Sequence, residues 1–341
     1  MFVVVNPNLV GDGNPSSDNC QTAGIVGDPI CYSTIQAAID AADPGSIIDV
    51  APGTYNEALT IGKALTLRGP NSGISAGVNP GLRGQEAIIV APSTLVAVFV
   101  NKANIGTVTV DGFLIADSGA WTHGGIVQGT SARTGTTVHF KNNIVEAPAT
   151  VLEKGYPIQV TGDNSTVIGN KVQATHMTHE DWSAAGILLS NSSDVLVQDN
   201  LIIGHADSDS GITVQNTGVI PANITLNNNH IIETSQGIFV SAYLGDVGPV
   251  NISNNLLKSN NQGLRITNFN SDNKVVLNNV TDNYFENNNI QVSYHPSLTG
   301  ISLEDILNNN SFDRAVVVRE NPIVVPTIFS KIQDAIDITS E

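Results

Sequence analysis

The side chains best suited to chemistry are concentrated in one short stretch, "HMTHEDW", which runs from His176 to Trp182. It holds two of the chain's 7 His, two carboxylates and one of its 2 Trp. Imidazoles and carboxylates so close together suit acid–base catalysis or divalent-metal binding. An exposed indole suits stacking on an apolar ring face. The question is which elements bring these groups to one place in a chain otherwise rich in Asn, Gly, Ser, Thr and aliphatic residues.

Most of the other reactive side chains fall in four segments: "ADSGAWTHG", "EAPATVLEKGYP", "QATHMTHEDWSAAG" and "GHADSDSG". The candidate ligand-binding residues in these segments are Trp121, His123, Tyr156, His176, His179, Glu180, Asp181, Trp182, His205, Asp207 and Asp209. Of these, His176, His179, Asp207 and Asp209 could hold a divalent cation such as calcium. The candidate catalytic groups are His179, Asp181, Asp207 and the more distant Arg265. The alternatives to such a site are that the acidic residues form a solvated turn, or that the four segments are loops that only cover a sheet.

A repeat runs along most of the chain and predicts how these segments meet. The pieces "TVHFKNNIV", "TVIGNKV", "VLVQDNLII", "ITLNNNHII" and "VNISNNLLK" share alternating apolar residues, a turn with Asn, and a further apolar residue. The shared position is occupied by Asn143, Asn170, Asn200, Asn229, Asn255 and Asn283, at steps of 27, 30, 29, 26 and 28 residues. Because a third apolar piece such as "GILL" or "GITV" follows each time, every unit reads as three short strands.

Stacking these units as coils pairs each strand in parallel with its counterpart about 4.8 Å away. The residues predicted to point inward are Val138, Phe140, Ile187, Val197, Ile212, Leu226, Ile238 and Ile252. The recurring Asn is predicted to adopt the left-handed backbone of a sharp bend and to form a hydrogen-bonded ladder. Phe113 occupies the same position in the preceding coil.

This pattern resembles the right-handed parallel β-helix of the pectin-lyase-like superfamily. The resemblance implies an all-β solenoid in which long loops on one side flank a sheet face that holds a glycan. The residues expected on that face are Gln159, Leu188, Thr213, Phe239 and Arg265. The catalytic motifs of pectin methylesterases, polygalacturonases, pectate lyases and alginate epimerases are absent from the sequence.

Both ends of the chain predict short amphipathic capping helices. The segment "YSTIQAAIDAADPGSIIDVAPGTYNEALTI" resembles the opening of pectin methylesterases, with Ile35, Ala38 and Ile39 on one helix face. Tyr55 and Glu57 in "GTYNE" are interpreted as structural rather than catalytic. These signals divide the chain into an N-terminal strand, disulfide loop and helix (1–46), a parallel β-helix (47–297), and a C-terminal strand and helix (298–341).

The C-terminal segment "VVVRENPIVVPTIFSKIQDAID" echoes the start of the chain, "FVVVNPNLV" and "YSTIQAAID". One interpretation is a unit of a tandem array, in which the chain would contact neighbouring copies of the same module. The other is a simple cap, with Ile328, Ile332, Ala335 and Ile336 on the inner face of a second helix.

Composition bounds the function and the compartment. The net charge of −17 argues against nucleic acid and anionic membrane surfaces, and no apolar stretch is long enough for membrane insertion. The start "MFVVVNPNLV" lacks the features of a signal peptide.

Cys20 and Cys31 could close a short disulfide loop, which would imply an oxidising compartment. Two free thiols, or a Cys pair helping to bind metal, are the alternatives.

Two functional hypotheses follow. The first is an extracellular or cell-surface β-helix module of a larger protein, structural and binding a polysaccharide or cell-surface glycan. The second is a polysaccharide lyase, hydrolase or epimerase that uses the four loops.

Overall fold

The protein is an all-β, right-handed parallel solenoid. Its computed structural model describes residues 2–5, 30–92, 96–117, 124–146, 156–173, 185–204, 210–216, 223–242, 244–268, 273–294, 298–314, 317–320 and 327–328. Within these ranges the strands form three sheets, called A, B and C below.

Each sheet takes one strand from each successive coil, so the polypeptide passes repeatedly from sheet A to sheet B to sheet C. Sheet A comprises Phe2–Val5, Ile30–Tyr32, Ser46–Val50, Leu65–Arg68, Gly106–Asp111, Thr136–Lys141, Thr166–Ile168, Leu196–Gln198, Ile224–Asn227, Val247–Ser253, Val275–Thr281 and Leu298–Thr299. Sheet B comprises Gly53–Tyr55, Ala87–Ala91, Leu114–Asp117, Ile144–Glu146, Lys171–Gln173, Leu201–Ile203, His230–Ile232, Leu256–Lys258, Tyr284–Glu286 and Ser311–Phe312. Sheet C comprises Leu59–Ile61, Val98–Val100, Gly124–Gln128, Tyr156–Val160, Ala185–Ser190, Ser210–Asn216, Gln236–Ala242, Gln262–Asn268, Ile290–Tyr294, Val317–Glu320 and Thr327–Ile328.

The core is a column of aliphatic layers inside the solenoid. Successive side chains of a strand point to opposite faces, so alternate residues of every coil stack on the same positions of the next. The inward residues predicted from the repeat are confirmed, because Val138, Phe140, Ile187, Val197, Ile212, Leu226, Ile238 and Ile252 are all fully buried. Strand pairing is parallel except between Val317–Val318 and Thr327–Ile328.

The predicted asparagine column is confirmed at the corner between sheets A and B. The Nδ2 of each Asn donates to the Oδ1 of the next, at 3.2 Å from Asn143 to Asn170 and 2.9 Å from Asn170 to Asn200. The same contact links Asn200, Asn229, Asn255, Asn283 and finally Asn310. At the other end, the Phe113 backbone N–H donates to the Asn143 Oδ1 at 3.0 Å. The column therefore joins eight successive coils through buried amides.

The prediction that these same residues adopt the left-handed backbone is wrong. Positive φ belongs to the residue before each of the six predicted Asn, for example 54° at Asn142, 67° at Gly169 and 57° at Asp199. The physical reason is that the column amide must point inward to reach the next coil. The chain reversal is then made by the preceding residue, which faces outward.

The N-terminal helix, Ile35–Ala41, buries Ile35, Ala38 and Ile39 as predicted. The Glu57 carboxylate caps it, because Oε1 and Oε2 each accept a backbone N–H of its first turn at 2.9 Å. The buried Tyr55 hydroxyl donates to the carbonyl of Ala51 at 2.9 Å. Burial, reinforced by the nearby Glu57, raises the pKa of that phenol. These contacts are structural, in agreement with the interpretation of "GTYNE".

A long connection, Gly69–Glu86, leaves sheet A and runs along the outside of the asparagine corner; we call it the strap. Its backbone N–H groups at Ala76 and Val78 donate to the carbonyls of Gly169 and Asp199 at 2.9 and 3.0 Å. A Cβ at Gly77 would lie 1.9 Å from the Asp199 oxygen, so only glycine permits this approach. The Arg83 guanidinium, paired with a glutamate of the strap, adds a bond to the Asn142 carbonyl at 2.7 Å.

Strands from residues after 297 continue all three sheets: Leu298–Thr299, Ser311–Phe312 and Val317–Glu320. A six-residue helix, Leu303–Asn308, lies between the first two and begins with a capping box formed by Ser302 and Asp305. Ile328, predicted to lie in a helix, instead ends a two-residue strand. The other predicted inner residues of that helix, Ile332, Ala335 and Ile336, lie outside the described residues.

Two sequence predictions concern compartment and membrane. Cys20 lies outside the described residues and Cys31 is described only as backbone of sheet A, so the disulfide stays a prediction. Across the part of the chain that the structure describes, neither helix has the length and apolarity that a membrane-spanning segment needs.

Candidate functional site

The outer face of sheet C carries the column of residues that the sequence predicted there. Strand register places Gln159, Leu188, Thr213, Phe239 and Arg265 directly beside one another in five consecutive coils. Towards the N-terminal helix the column continues through Val127 and Phe99 to Thr60.

Apolar and uncharged polar side chains alternate along much of this column. Leu188 is 3% exposed and Phe239 4% exposed, although neither belongs to the interior core. Thr213, between them, is 5% exposed. Since these side chains face away from the core, they form a largely covered floor, while Phe99 and Gln159 nearer the N-terminal end are half-buried.

Arg265 lies at the other end of this floor and contacts Phe239. Its guanidinium carbon is 5.1 Å from the centre of the Phe239 ring, a cation–π distance. The aromatic face therefore orients this cation over the floor. The catalytic role predicted for Arg265 stays a prediction, because its proposed partners His179, Asp181 and Asp207 lie outside the described residues.

An open groove of about 580 Å³ lies where sheet C approaches the N-terminal helix. Phe99, Tyr156 and Gln159 line it together with Ala58, Thr60, Val96, Asn101, Val127, Gly129, Thr130 and Ser131. Tyr156 is the one residue of the predicted ligand-binding set that the structure describes, and it lies at this groove.

The rest of that set falls outside the described residues. It comprises Trp121, His123, His176, His179, Glu180, Asp181, Trp182, His205, Asp207 and Asp209. Their clustering and the calcium site therefore remain predictions. Within the described ranges, no three His, Cys, Asp or Glu side chains lie close enough together to hold a metal ion.

Sequence reasoning missed several groove residues, above all Phe99, Asn101 and Ser131. Ser131 donates a hydrogen bond to the Asn101 amide oxygen across neighbouring coils. The available signal was the alternation "VFV", which places Phe99 outward between two inward valines.

Two histidines lie on other faces of the solenoid. Burial, together with Lys141, lowers the pKa of His139 on sheet A, where its Nδ1 lies 2.9 Å from the Thr166 hydroxyl. Burial alone lowers the pKa of His230 on sheet B. Neither imidazole faces sheet C, so neither contributes to the candidate site.

The chain was compared with curated protein sequences, solved structures and family models. No curated protein sequence matches the chain significantly. Among solved structures, the mannuronan C-5 epimerase A-module of Azotobacter vinelandii is 13% identical with a TM-score of 0.46, covering 84% of this chain and 89% of that one. A rhamnogalacturonan lyase is 11% identical with a TM-score of 0.44, covering 96% of this chain and 78% of that one. The pectin methylesterase of Aspergillus niger is 16% identical with a TM-score of 0.29, covering 96% and 91%.

The family model described as the right-handed beta helix region matches residues 96–280, which is more than half of the chain. That match contains the floor of sheet C and the asparagine column from Asn143 to Asn255. The chain belongs to the right-handed β-helix family.

Proposed function

We propose that this chain is an extracellular β-helix module that binds a polysaccharide or cell-surface glycan along the outer face of sheet C. The observation that carries the proposal is the in-register column from Thr60 to Arg265, in which apolar platforms alternate with amide and hydroxyl groups. Sugars present the same two surfaces, an apolar ring face and a rim of hydroxyls.

The geometry of the column favours an extended ligand over a compact one. Each coil advances by about 4.8 Å, so equivalent groups recur along the solenoid axis at intervals shorter than one sugar residue. At the more open end, a glycan lying along the axis would meet the hydrogen-bonding groups of Thr60 and Gln159. Aromatic side chains such as Phe99 and Tyr156 can stack on ring faces at the more open end.

The long loops beside sheet C extend this proposal to residues outside the described ranges. Trp121 and Trp182 fall in loops two coils apart, which corresponds to about 10 Å along the stack. That distance is close to the separation of alternate sugars in an extended glycan. We assign both indoles a stacking role, with His179, Asp181 and Asp207 as hydrogen-bonding neighbours.

The two ends of the sequence support the proposal that this chain is one module of a tandem array. The C-terminal segment echoes the N-terminal strand and helix, and the Cys20–Cys31 loop is compatible with export. Calcium is the cation best suited to the acidic loop residues Asp207 and Asp209.

The test is binding of the purified chain to a panel of polysaccharides, measured by affinity electrophoresis and titration calorimetry. We expect the Trp121→Ala/Trp182→Ala double variant to lose binding while its melting temperature stays within a few degrees. Tyr284→Ala is the matched control, because Tyr284 is an exposed aromatic on sheet B, away from the site. A wild-type chain that binds no glycan would contradict the proposal.

A further inference from the structure

We infer that the groove lined by Phe99, Tyr156 and Gln159 binds an uncharged sugar and discriminates against uronic acids. This inference rests on the proposed function, since it names the class of glycan that sheet C takes. The groove is confined to the end of sheet C nearest the N-terminal helix and is built from described residues.

The shape of the groove fits a short stretch of glycan. Thr60, Phe99, Val127 and Gln159 stand side by side on four consecutive strands, which spans about 14 Å at 4.8 Å per strand. Its volume of about 580 Å³ falls within the range of about 300–1,000 Å³ that is usual for small-molecule sites.

Two aromatic rings give the groove its apolar surfaces. Phe99 and Tyr156 are both half-buried, and each therefore keeps part of its ring accessible. The Phe99 ring rests against the backbone at Gly129, where a Cβ would lie 2.8 Å from Phe99 Cε2. Glycine at this position keeps the ring against the sheet and leaves space above it.

The polar groups of the groove are all neutral. Among the described residues that line it, none carries a charge, and the hydrogen-bonding groups are the amides of Asn101 and Gln159 and the hydroxyls of Thr60, Thr130, Ser131 and Tyr156. Amides and hydroxyls both donate and accept, which matches sugar hydroxyls. A uronate carboxylate that faces these described side chains would lose water without gaining a cation from them, and burial of an unpaired charge is costly.

The described cations close in sequence to the groove, Lys63, Lys102 and Arg133, are not among its lining residues. Lys154, two residues before Tyr156, lies outside the described residues. Lys63 is directed to the C-terminal end of the first helix, where its ammonium donates to the carbonyls of Asp40 and Ala42 at 2.9 Å. Lys102 is exposed and does not line the groove. The net charge of −17 adds a general repulsion of polyanions, which is strongest at low ionic strength.

The experiment compares hexasaccharides of neutral sugars (cellohexaose, mannohexaose and xylohexaose) with oligogalacturonate and oligomannuronate of the same length, at low and physiological salt. We expect the wild type to bind a neutral oligosaccharide at least tenfold more tightly than either uronate. Phe99→Ala and Tyr156→Ala should each weaken neutral binding about tenfold or more, while Tyr284→Ala on sheet B should leave it unchanged.

A charge-insertion variant tests the discrimination without disturbing the core. Thr60 is exposed, so Thr60→Lys should raise uronate binding about tenfold and change neutral binding less than threefold, with Thr60→Gln as the size-matched control. Tighter wild-type binding of a uronate would overturn this inference and leave the proposed function in place. Neutral binding that survives both aromatic substitutions would overturn the assignment to this groove. Absence of binding to either class would overturn both.

Discussion

Replacing Asn200 by alanine removes a buried, fully hydrogen-bonded amide of the asparagine column. Its Nδ2 donates to the carbonyls of Val167 and Gln198 at 2.8 and 2.9 Å and to the Asn229 Oδ1 at 2.9 Å. Its Oδ1 accepts from both the backbone N–H and the Nδ2 of Asn170, each at 2.9 Å. Because one amide has two protons for its three acceptors, we count four bonds rather than five.

The expected loss of stability depends on the burial of Asn200 and on the hydrogen-bond donors that lose their partner. Asn200 and Asn170 are both fully buried, so water cannot replace the lost partner of the Asn170 backbone N–H. Four bonds at about 0.5–1.5 kcal/mol net each, together with that unsatisfied donor, predict a loss of about 3–5 kcal/mol in the free energy of unfolding. Urea denaturation followed by circular dichroism measures the loss, provided that the slope of the transition stays that of the wild type.

Asn310 provides the matched control, because it ends the same column but is only half-buried. Its Nδ2 donates to the Val280 carbonyl at 2.9 Å, and its Oδ1 accepts from the backbone N–H and the Nδ2 of the buried Asn283 at 2.9 and 2.8 Å. Because Asn310 itself is partly open to solvent, we expect water to enter the space that its side chain leaves and to accept from Asn283. We expect Asn310→Ala to cost about 1 kcal/mol. Equal losses at the two positions, or a loss below about 1 kcal/mol at Asn200, would refute the view that burial makes the column strong.

Three further predictions concern the strap, the first helix and pH. Gly77→Ala should push the strap away from the Asp199 carbonyl, cost about 1–3 kcal/mol through the two adjacent backbone bonds, and speed amide hydrogen exchange at Ala76 and Val78. Glu57→Ala should leave the backbone N–H groups of Ile35 and Gln36 without their carboxylate acceptor, while the Thr34 N-cap remains, and should lower the unfolding free energy by about 1–2 kcal/mol in urea denaturation. Because the pKa of His139 is lowered in the folded state, its stabilisation should be lost as pH falls below its ordinary value of 6.5. His139→Gln should therefore flatten the pH dependence of the melting temperature on the acid side.

Controls for these predictions come from neighbouring positions. Gly62→Ala introduces a Cβ at an ordinary 3.9 Å from its nearest neighbour and should be neutral. Asn56 is exposed beside Glu57, so Asn56→Ala should leave the helix capped. A Gly77 variant with unchanged exchange at Ala76, or a His139 variant with the wild-type pH profile, would contradict the corresponding argument.

The asparagine column and the floor of sheet C could be predicted because their spacing is regular. Each column Asn follows two alternating apolar residues, so Asn143 and Asn200 can be aligned by inspection. Register then follows from the period-two alternation of strands, which places Leu188 and Thr213 side by side.

The left-handed residues, the strap and the groove depend on contacts that no local sequence pattern predicts. The left-handed position is filled by Asn142, Gly169 and Asp199 in successive coils, so no repeated letter marks it. The strap has no periodicity of its own and is positioned by hydrogen bonds to later coils, at Asp111, Asn142, Gly169 and Asp199. The groove joins Phe99 to Tyr156 across coils with connections of different length, which the sequence does not align.

The strap changes the mechanical character of a solenoid. In a stack where each coil touches only its two neighbours, a chain pulled from one end would peel away coil by coil, with a small force peak for each. Hydrogen bonds from the strap connect the coil that ends at Arg68 to the carbonyls of Asn142, Gly169 and Asp199. That coil therefore cannot detach while these bonds remain. The coils up to Asp199 should therefore yield as one block under tension, whereas the coils beyond Asn200 should yield in smaller steps.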